Sequence, residues 1–158
     1  MRLIQPTQQA LAFTAALASL SNQTLKSDLF EVLVVFNGPA ALDIELDLED
    51  QFSQLDLRVL RTASPGVGRA RNLGIASAGR HFVTFLDDDD ALQPRFLETG
   101  LEHARNGVCV LLPILDKGHD GSLQENSLNA RISTLRGTTD PVARAPWALG
   151  FNACKVLS

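Results

Sequence analysis

Four consecutive carboxylates, Asp87-Asp88-Asp89-Asp90, close a mostly apolar run, His81-Phe82-Val83-Thr84-Phe85-Leu86, and precede Ala91-Leu92-Gln93-Pro94. A strand ending in such a cluster must relieve its own repulsion, because two unit charges ~6 Å apart at an effective dielectric of about 20 repel by roughly 3 kcal/mol. Water, protonation or a bound cation can supply that relief. Side chains alternate along a strand, so Asp87 and Asp89 are expected to lean to one face and Asp88 and Asp90 to the other. Paired hard oxygen donors suit Mg2+ or Mn2+, which take one or two protein carboxylates and fill the remaining positions with substrate phosphate oxygens. The alternative is a solvated acidic loop in which Asp90 or a neighbour caps the next helix.

A second candidate precedes it. Thr62 to Gly68 is a loop of small residues that runs into Arg69-Ala70-Arg71-Asn72-Leu73-Gly74. Gly66-x-Gly68 before a helix lets a phosphate approach the backbone where helix-start amides lack partners. Arg69 and Arg71 add cationic donors suited to oxyanions; the alternative is a plain loop with a solvent-facing arginine pair. Neither a full dinucleotide-binding glycine fingerprint nor a Walker-type Gly-Lys-Ser/Thr ending is present.

The elements that would position these groups follow from hydrophobic periodicity. Arg2 to Pro6 reads as a short strand, and Ala10, Phe13, Leu17 and Leu20 have the spacing of a helix face. Phe30 to Phe36 is a nearly continuous β-branched and aromatic run, as expected of a parallel strand covered on both faces. Leu42 to Leu55 is acidic and amphipathic and is expected to be a surface helix. A strand at 57–61, a helix at 69–78 and a strand at 81–86 follow. Beyond Pro94, a helix with Leu97, Leu101 and Ala104 on one face leads to a buried strand at 108–112, where Cys109 is expected to be a buried thiol. Alternating strands and helices predict an α/β domain with a largely parallel sheet. Residues 117–121 are turn-rich, 126–135 has helical character, and Ala145 to Phe151 is apolar.

The totals are those of one ordinary globular domain: 158 residues, 45% hydrophobic and 20% charged. A net charge of −4 argues against a general nucleic-acid binder while allowing a local basic pocket. Cys109 and Cys154 lack zinc-site or disulfide-framework spacing. The start carries no signal-peptide layout, and no apolar run nears the ~18 residues of a membrane span. The expectation is a cytoplasmic protein, or one peripheral to the inner face of the membrane.

Ligands of open parallel sheets bind beyond the carboxyl ends of the strands. Pro6-Thr7-Gln8, Asn37-Gly38, Gly66 to Asn72 and Asp87 to Asp90 all fall there. In this order, together with Gly66-x-x-x-Ala70-Arg71-Asn72-x-Gly74 and Phe85-Leu86-Asp87-x-Asp89-Asp90, they resemble the inverting, GT-A-fold family 2 nucleotide-sugar glycosyltransferases over residues 2–105. The resemblance implies a GT-A, Rossmann-like fold with a mostly parallel central sheet flanked by helices. It implies one domain over 1–158, with the nucleotide-sugar donor held by 1–112 and the acceptor side beginning at 113–158.

It also implies roles for particular residues. Pro6 and Gln8 would lie against the nucleobase, and Asn37 would stand where the family usually has a base-bonding aspartate. Arg71 and Asn72 would help hold the nucleotide. Asp87 and Asp89 would form the DXD motif, with Asp89 the direct ligand of a divalent cation, Mn2+ or Mg2+, and Asp87 facing the ribose or the metal's water. The implied partners are a nucleoside diphosphate sugar and a glycan, lipid or small-molecule acceptor.

This chain departs from the family pattern at Gln8-Gln9 and at Phe36-Asn37-Gly38-Pro39. The inverting base is expected beyond Ser158, in a larger domain that this chain enters, and no role is assigned to Asp116, Asp120, Glu125 or Asp140. His103 and His119 read as surface residues. The function expected is hexosyltransferase-like, metal-dependent sugar transfer. A non-catalytic nucleotide-binding module of the same fold and a sugar nucleotidyltransferase are the alternatives.

Overall fold

The computed structural model describes residues 8–43, 47–135 and 155–157. Its centre is a pair of parallel strands, β1 (Val32–Asn37) and β2 (Leu57–Thr62), in register from Val32 opposite Leu57 to Asn37 opposite Thr62. Helix α1 (Gln8–Ser21) covers one face of β1. Its Leu17 is buried in one cluster with Val32, Val34, Leu48, Leu55 and Leu57, and Phe13 meets Phe36 edge-on with centroids 6.0 Å apart. Helix α3 (Val67–Ser77) covers the opposite face, so closely that a Cβ at Gly74 would lie 3.7 Å from Val35 Cγ2. Coverage on both faces is why the β1 sequence is apolar without alternation, and each fully buried aliphatic side chain contributes about 1.5–3 kcal/mol.

The surface helix expected over 42–55 is not what forms. A 3-10 turn at Pro39–Asp43 and a four-residue helix α2 (Leu48–Gln51) occupy the region, with Asp47 already outside helical geometry. Asp43 and Asp47, like Glu45 and Glu49, would be like charges four apart on one continuous helix, which is destabilising. Among the described residues of 39–55, Ala41, Leu48 and Leu55 are the buried ones.

Strand β3 (Val83–Thr84) is shorter than the expected 81–86, as is β4 (Val110–Leu111) against the expected 108–112. These two strands are not neighbours. Strand β7 (Lys155–Leu157) lies between them, antiparallel to both, with Val156 opposite Thr84 on one side and Val110 on the other. The sheet pairing is therefore parallel at β1–β2 and antiparallel around β7, within an α/β fold.

Helix α4 (Phe96–His103) packs over β7 through Gly100, where an added Cβ would come within 2.8 Å of Val156 Cγ2. The buried face runs through Gly100 and Ala104, whereas Leu101, expected on it, is 41% exposed. Cys109 is half-buried rather than buried, next to the exposed Val108.

A hairpin, β5 (Leu115–Lys117) with β6 (Leu123–Glu125), spans the turn-rich segment, and α5 (Leu128–Ser133) falls within the expected 126–135. The expected strand at 2–6 and the apolar run at 145–151 lie outside the described residues. No helix among the described residues is long and apolar enough to cross a membrane.

Candidate active site at the carboxyl edge of the sheet

Two short contacts fix α3 against the strand ends. At the end of β1, the Asn37 side-chain oxygen accepts the Gly66 amide proton at 3.0 Å. Gly66 caps α3 with φ 117°, a conformation that side-chain-bearing residues rarely adopt, and its carbonyl accepts from both Arg69 and Ala70. The amides of Val67 and Gly68 belong to the first turn, which has no intrahelical acceptor to offer them. A Cβ at Gly68 would meet no atom within 4 Å, so the protein's own packing does not demand glycine there.

Along the same helix, Ala70 is buried against the sheet and Arg71 reaches the segment leaving β3. Arg71 Nη2 donates to Asp87 Oδ1 at 2.8 Å, and the guanidinium carbon stands 5.4 Å from the Phe85 ring centroid. The Arg71 side chain is 19% exposed and that of Asp87 45%, so the pair runs from the protein interior to its surface. Phe85 and Asp87 lie two residues apart, and one guanidinium contacts both. Phe85 is the residue that sequence reasoning missed as part of the site; an aromatic two positions before the first aspartate is the signal that was available.

The aspartates do not continue the strand. The Asp90 amide donates to the Asp87 carbonyl at 3.1 Å, closing a turn with Asp88 and Asp89 at its exposed apex. The alternating placement expected of Asp87 and Asp89 on one strand face is therefore corrected. A turn spreads carboxylates that an extended strand would line up, and Asp suits turn positions. The negative potential remains concentrated. Partial loss of solvent pushes the Asp90 carboxyl above its ordinary value, and the charges of Asp89 and Asp87 push it further.

The segment beyond is held to the end of α1. Leu92 N donates to Ser19 Oγ at 3.0 Å, Gln23 Nε2 to the Gln93 carbonyl at 2.9 Å, and Leu97 N to Gln23 Oε1 at 3.0 Å. The aspartate turn is thus anchored on both sides, by Arg71 before it and by α1 after it.

Of the residues singled out from sequence, Asn37, Arg71 and Asp87 converge on the N-terminal half of α3. Asn72 is exposed on that helix and Asp89 is exposed at the turn. Pro6 and the side chain of Gln8 lie outside the described residues; the Gln8 backbone opens α1. Among the described residues, no three His, Cys, Asp or Glu side chains are grouped to enclose a metal. The donor set fits a hard cation that takes one or two carboxylates here and its other oxygens from a ligand.

Asp116 and Asp120 are engaged elsewhere. Both carboxylate oxygens of Asp116 accept from Asn126 Nδ2, at 2.9 and 3.0 Å, and Asp120 accepts the Ser122 amide at 3.0 Å. His103 Nδ1 lies 2.9 Å from the Thr99 carbonyl on its own helix, and both His103 and His119 are exposed, as expected.

A model of one protein family, glycosyl transferase family 2, matches residues 9–153 of the chain. The chain belongs to that family. EpsH, a Bacillus subtilis (strain 168) protein that bears a glycosyltransferase name, is 36% identical to this family 2 chain over 90 residues, 56% of the chain and 25% of EpsH. The poly(ribitol-phosphate) beta-N-acetylglucosaminyltransferase TarS of Staphylococcus aureus (strain Mu50) is 33% identical over 123 residues, 75% of the chain and 21% of TarS. The crystal structure of S. aureus TarS superposes with a TM-score of 0.50 at 28% identity, covering 60% of the chain and 17% of TarS. The chain thus spans a quarter or less of the length of these relatives. The fold of the family 2 chain is the α/β, GT-A arrangement, with a parallel sheet and flanking helices.

Proposed function

We propose that this family 2 chain carries the donor-binding part of a glycosyltransferase that moves a sugar, with inversion, from a nucleoside diphosphate sugar to an acceptor hydroxyl. The observation that supports it most is the Arg71–Asp87 pair seated on Phe85 at the carboxyl edge of the sheet. A carboxylate held by a half-buried guanidinium is oriented before any ligand arrives, and oriented charges stabilise developing charge without reorganising. Asp89, with Asp87 assisting, would hold Mg2+ or Mn2+, which when bound would neutralise the departing diphosphate.

The chain's own residues supply the rest. Arg71 fixes one oxygen of Asp87 and leaves the other available. The first-turn amides of α3 are open to a phosphate oxygen, and Arg69, exposed beside them, adds a positive charge. Asn37 and Asn72 meet the nucleoside. A carboxylate must take the acceptor proton as the hydroxyl oxygen attacks the anomeric carbon. Asp116 and Asp120 are not assigned to that step, because both oxygens of Asp116 and Oδ1 of Asp120 already accept hydrogen bonds within 115–126.

The test is turnover. Intact protein incubated with nucleoside diphosphate sugars and Mn2+ is expected to release nucleoside diphosphate, and Asp89→Ala to lose that release. Donor binding without release under every acceptor tried would support the non-catalytic module instead.

A further inference from the structure

Over residues 85–95 the chain forms neither helix nor strand, so no regular backbone ladder fixes the segment that carries the aspartates. Side chains at the end of α1 hold its far side instead. Leu92 N donates to Ser19 Oγ at 3.0 Å, and that hydroxyl in turn donates to the Ala16 carbonyl at 2.7 Å. Only Ala91 separates Asp90 from this contact. The Gln23 side chain makes three bonds. Its Nε2 donates to the Ser19 carbonyl at 3.0 Å and to the Gln93 carbonyl at 2.9 Å, and its Oε1 accepts from Leu97 N at 3.0 Å. Carbonyls only accept and a backbone N–H only donates, so these partners settle which way the Gln23 amide faces. Leu97 N belongs to the first turn of α4, whose N-cap Arg95 makes no side-chain capping bond. Gln23 therefore caps α4 from another element. Thr24 N adds a bond to the Pro94 carbonyl at 2.8 Å.

We propose that Ser19 and Gln23 are positioning residues for the cation held at the aspartate turn, fixing the exit of that turn as Arg71 fixes its entry. This rests on the reading of the turn as a cation site. The apex that carries Asp89 is exposed, so its placement is set by where the two ends of the turn are held. With the exit released, the turn visits arrangements that do not bind the ion, and the apparent affinity falls in proportion to the population of the competent one. Neither residue touches the ion; both act through the backbone at Leu92, Gln93 and Leu97.

The experiment is titration of Mn2+ alone into the intact protein, read as loss of the free-ion electron paramagnetic resonance signal. It compares wild type, Ser19→Ala, Gln23→Met and Asp89→Ala, with circular dichroism to check each fold. Alanine and methionine both favour helix, so neither change unravels the end of α1. Glu31→Gln is the control for lost stability alone: it weakens the contacts with Arg58 and Gly79 before the start of β1, away from the aspartate turn. Ser19→Ala and Gln23→Met are each expected to raise the Mn2+ dissociation constant about fivefold, with Glu31→Gln at the wild-type value and Asp89→Ala without binding. Wild-type affinity in both Ser19→Ala and Gln23→Met, or an equal fall in Glu31→Gln, overturns the proposal while leaving the cation site standing. Absence of Mn2+ binding by wild type, or binding that survives Asp89→Ala, overturns the cation reading and this positioning role together.

Discussion

Arg71 and Asp87 are joined at 2.8 Å across the gap between α3 and the segment leaving β3, with the guanidinium also over the ring of Phe85. The pair sets the direction of the first aspartate before the turn that carries the other three. Because Arg71 is largely covered and Asp87 half exposed, the interaction is worth more to orientation than to stability. A double-mutant cycle of Arg71→Ala and Asp87→Ala, read by urea unfolding, is expected to give a coupling of about 1 kcal/mol. A coupling near zero would mean that the pair does not persist in solution.

Arg71→Lys separates charge from shape. Lysine keeps the positive charge and loses the planar fork and its stacking on Phe85. Donor affinity is expected to fall about tenfold while the unfolding midpoint stays close to wild type. Unchanged affinity would show that charge alone suffices at this position.

Gly100→Ala tests the sheet around β7. The added methyl would meet Val156 Cγ2 at 2.8 Å, and overpacking of this kind costs about 1–3 kcal/mol. Pairing it with Val156→Ala is expected to recover part of the loss in thermal unfolding. An equal loss with and without the second change would place α4 elsewhere relative to β7.

Stability should depend on pH through Glu31. Burial pushes its carboxyl up, but the hydrogen bond from Arg58, the Gly79 amide and the Arg58 charge together hold it below its ordinary value. The contacts are short, 2.7 Å to Arg58 Nη2 and 2.6 Å to Gly79 N. A group whose folded value is depressed contributes stability above its unfolded value and loses it as pH falls through the folded value. Wild type should therefore exceed Glu31→Gln in stability at neutral pH, with the gap closing in the acid range below the ordinary carboxylate value. A gap that widens on acidification would contradict the sign.

Much of this was legible in the sequence because local patterns and tertiary demands agree. The nearly continuous apolar run at 30–36 announced a strand covered on both faces, and α1 and α3 cover it. The small-residue loop at 62–68 announced the approach to a helix, and Gly66 caps α3 with φ 117°. What the sequence hid depends on distant partners. Strand β7 is three residues long and sits some seventy residues from β3, so neither length nor periodicity marks Val156 as a buried residue between two strands. Gly100 drew no reading from the helix pattern, and its meaning appears only with Val156 packed against it. The aspartates were read in strand geometry because β-formers precede them, but mutual repulsion and turn chemistry bend them away. Asn37 was legible as a departure from the family's aspartate; only the structure shows that its side-chain oxygen accepts from the Gly66 amide.

The central claim is that the aspartate turn grips a divalent cation that in turn grips a diphosphate. The most direct measurement is the affinity of the intact protein for a nucleoside diphosphate, titrated with Mn2+, with EDTA, and with Mn2+ in Asp89→Ala. The account predicts tight binding only in wild type with Mn2+, and a loss of about tenfold or more both on chelation and in the variant. Binding that is equal under all three conditions would contradict it.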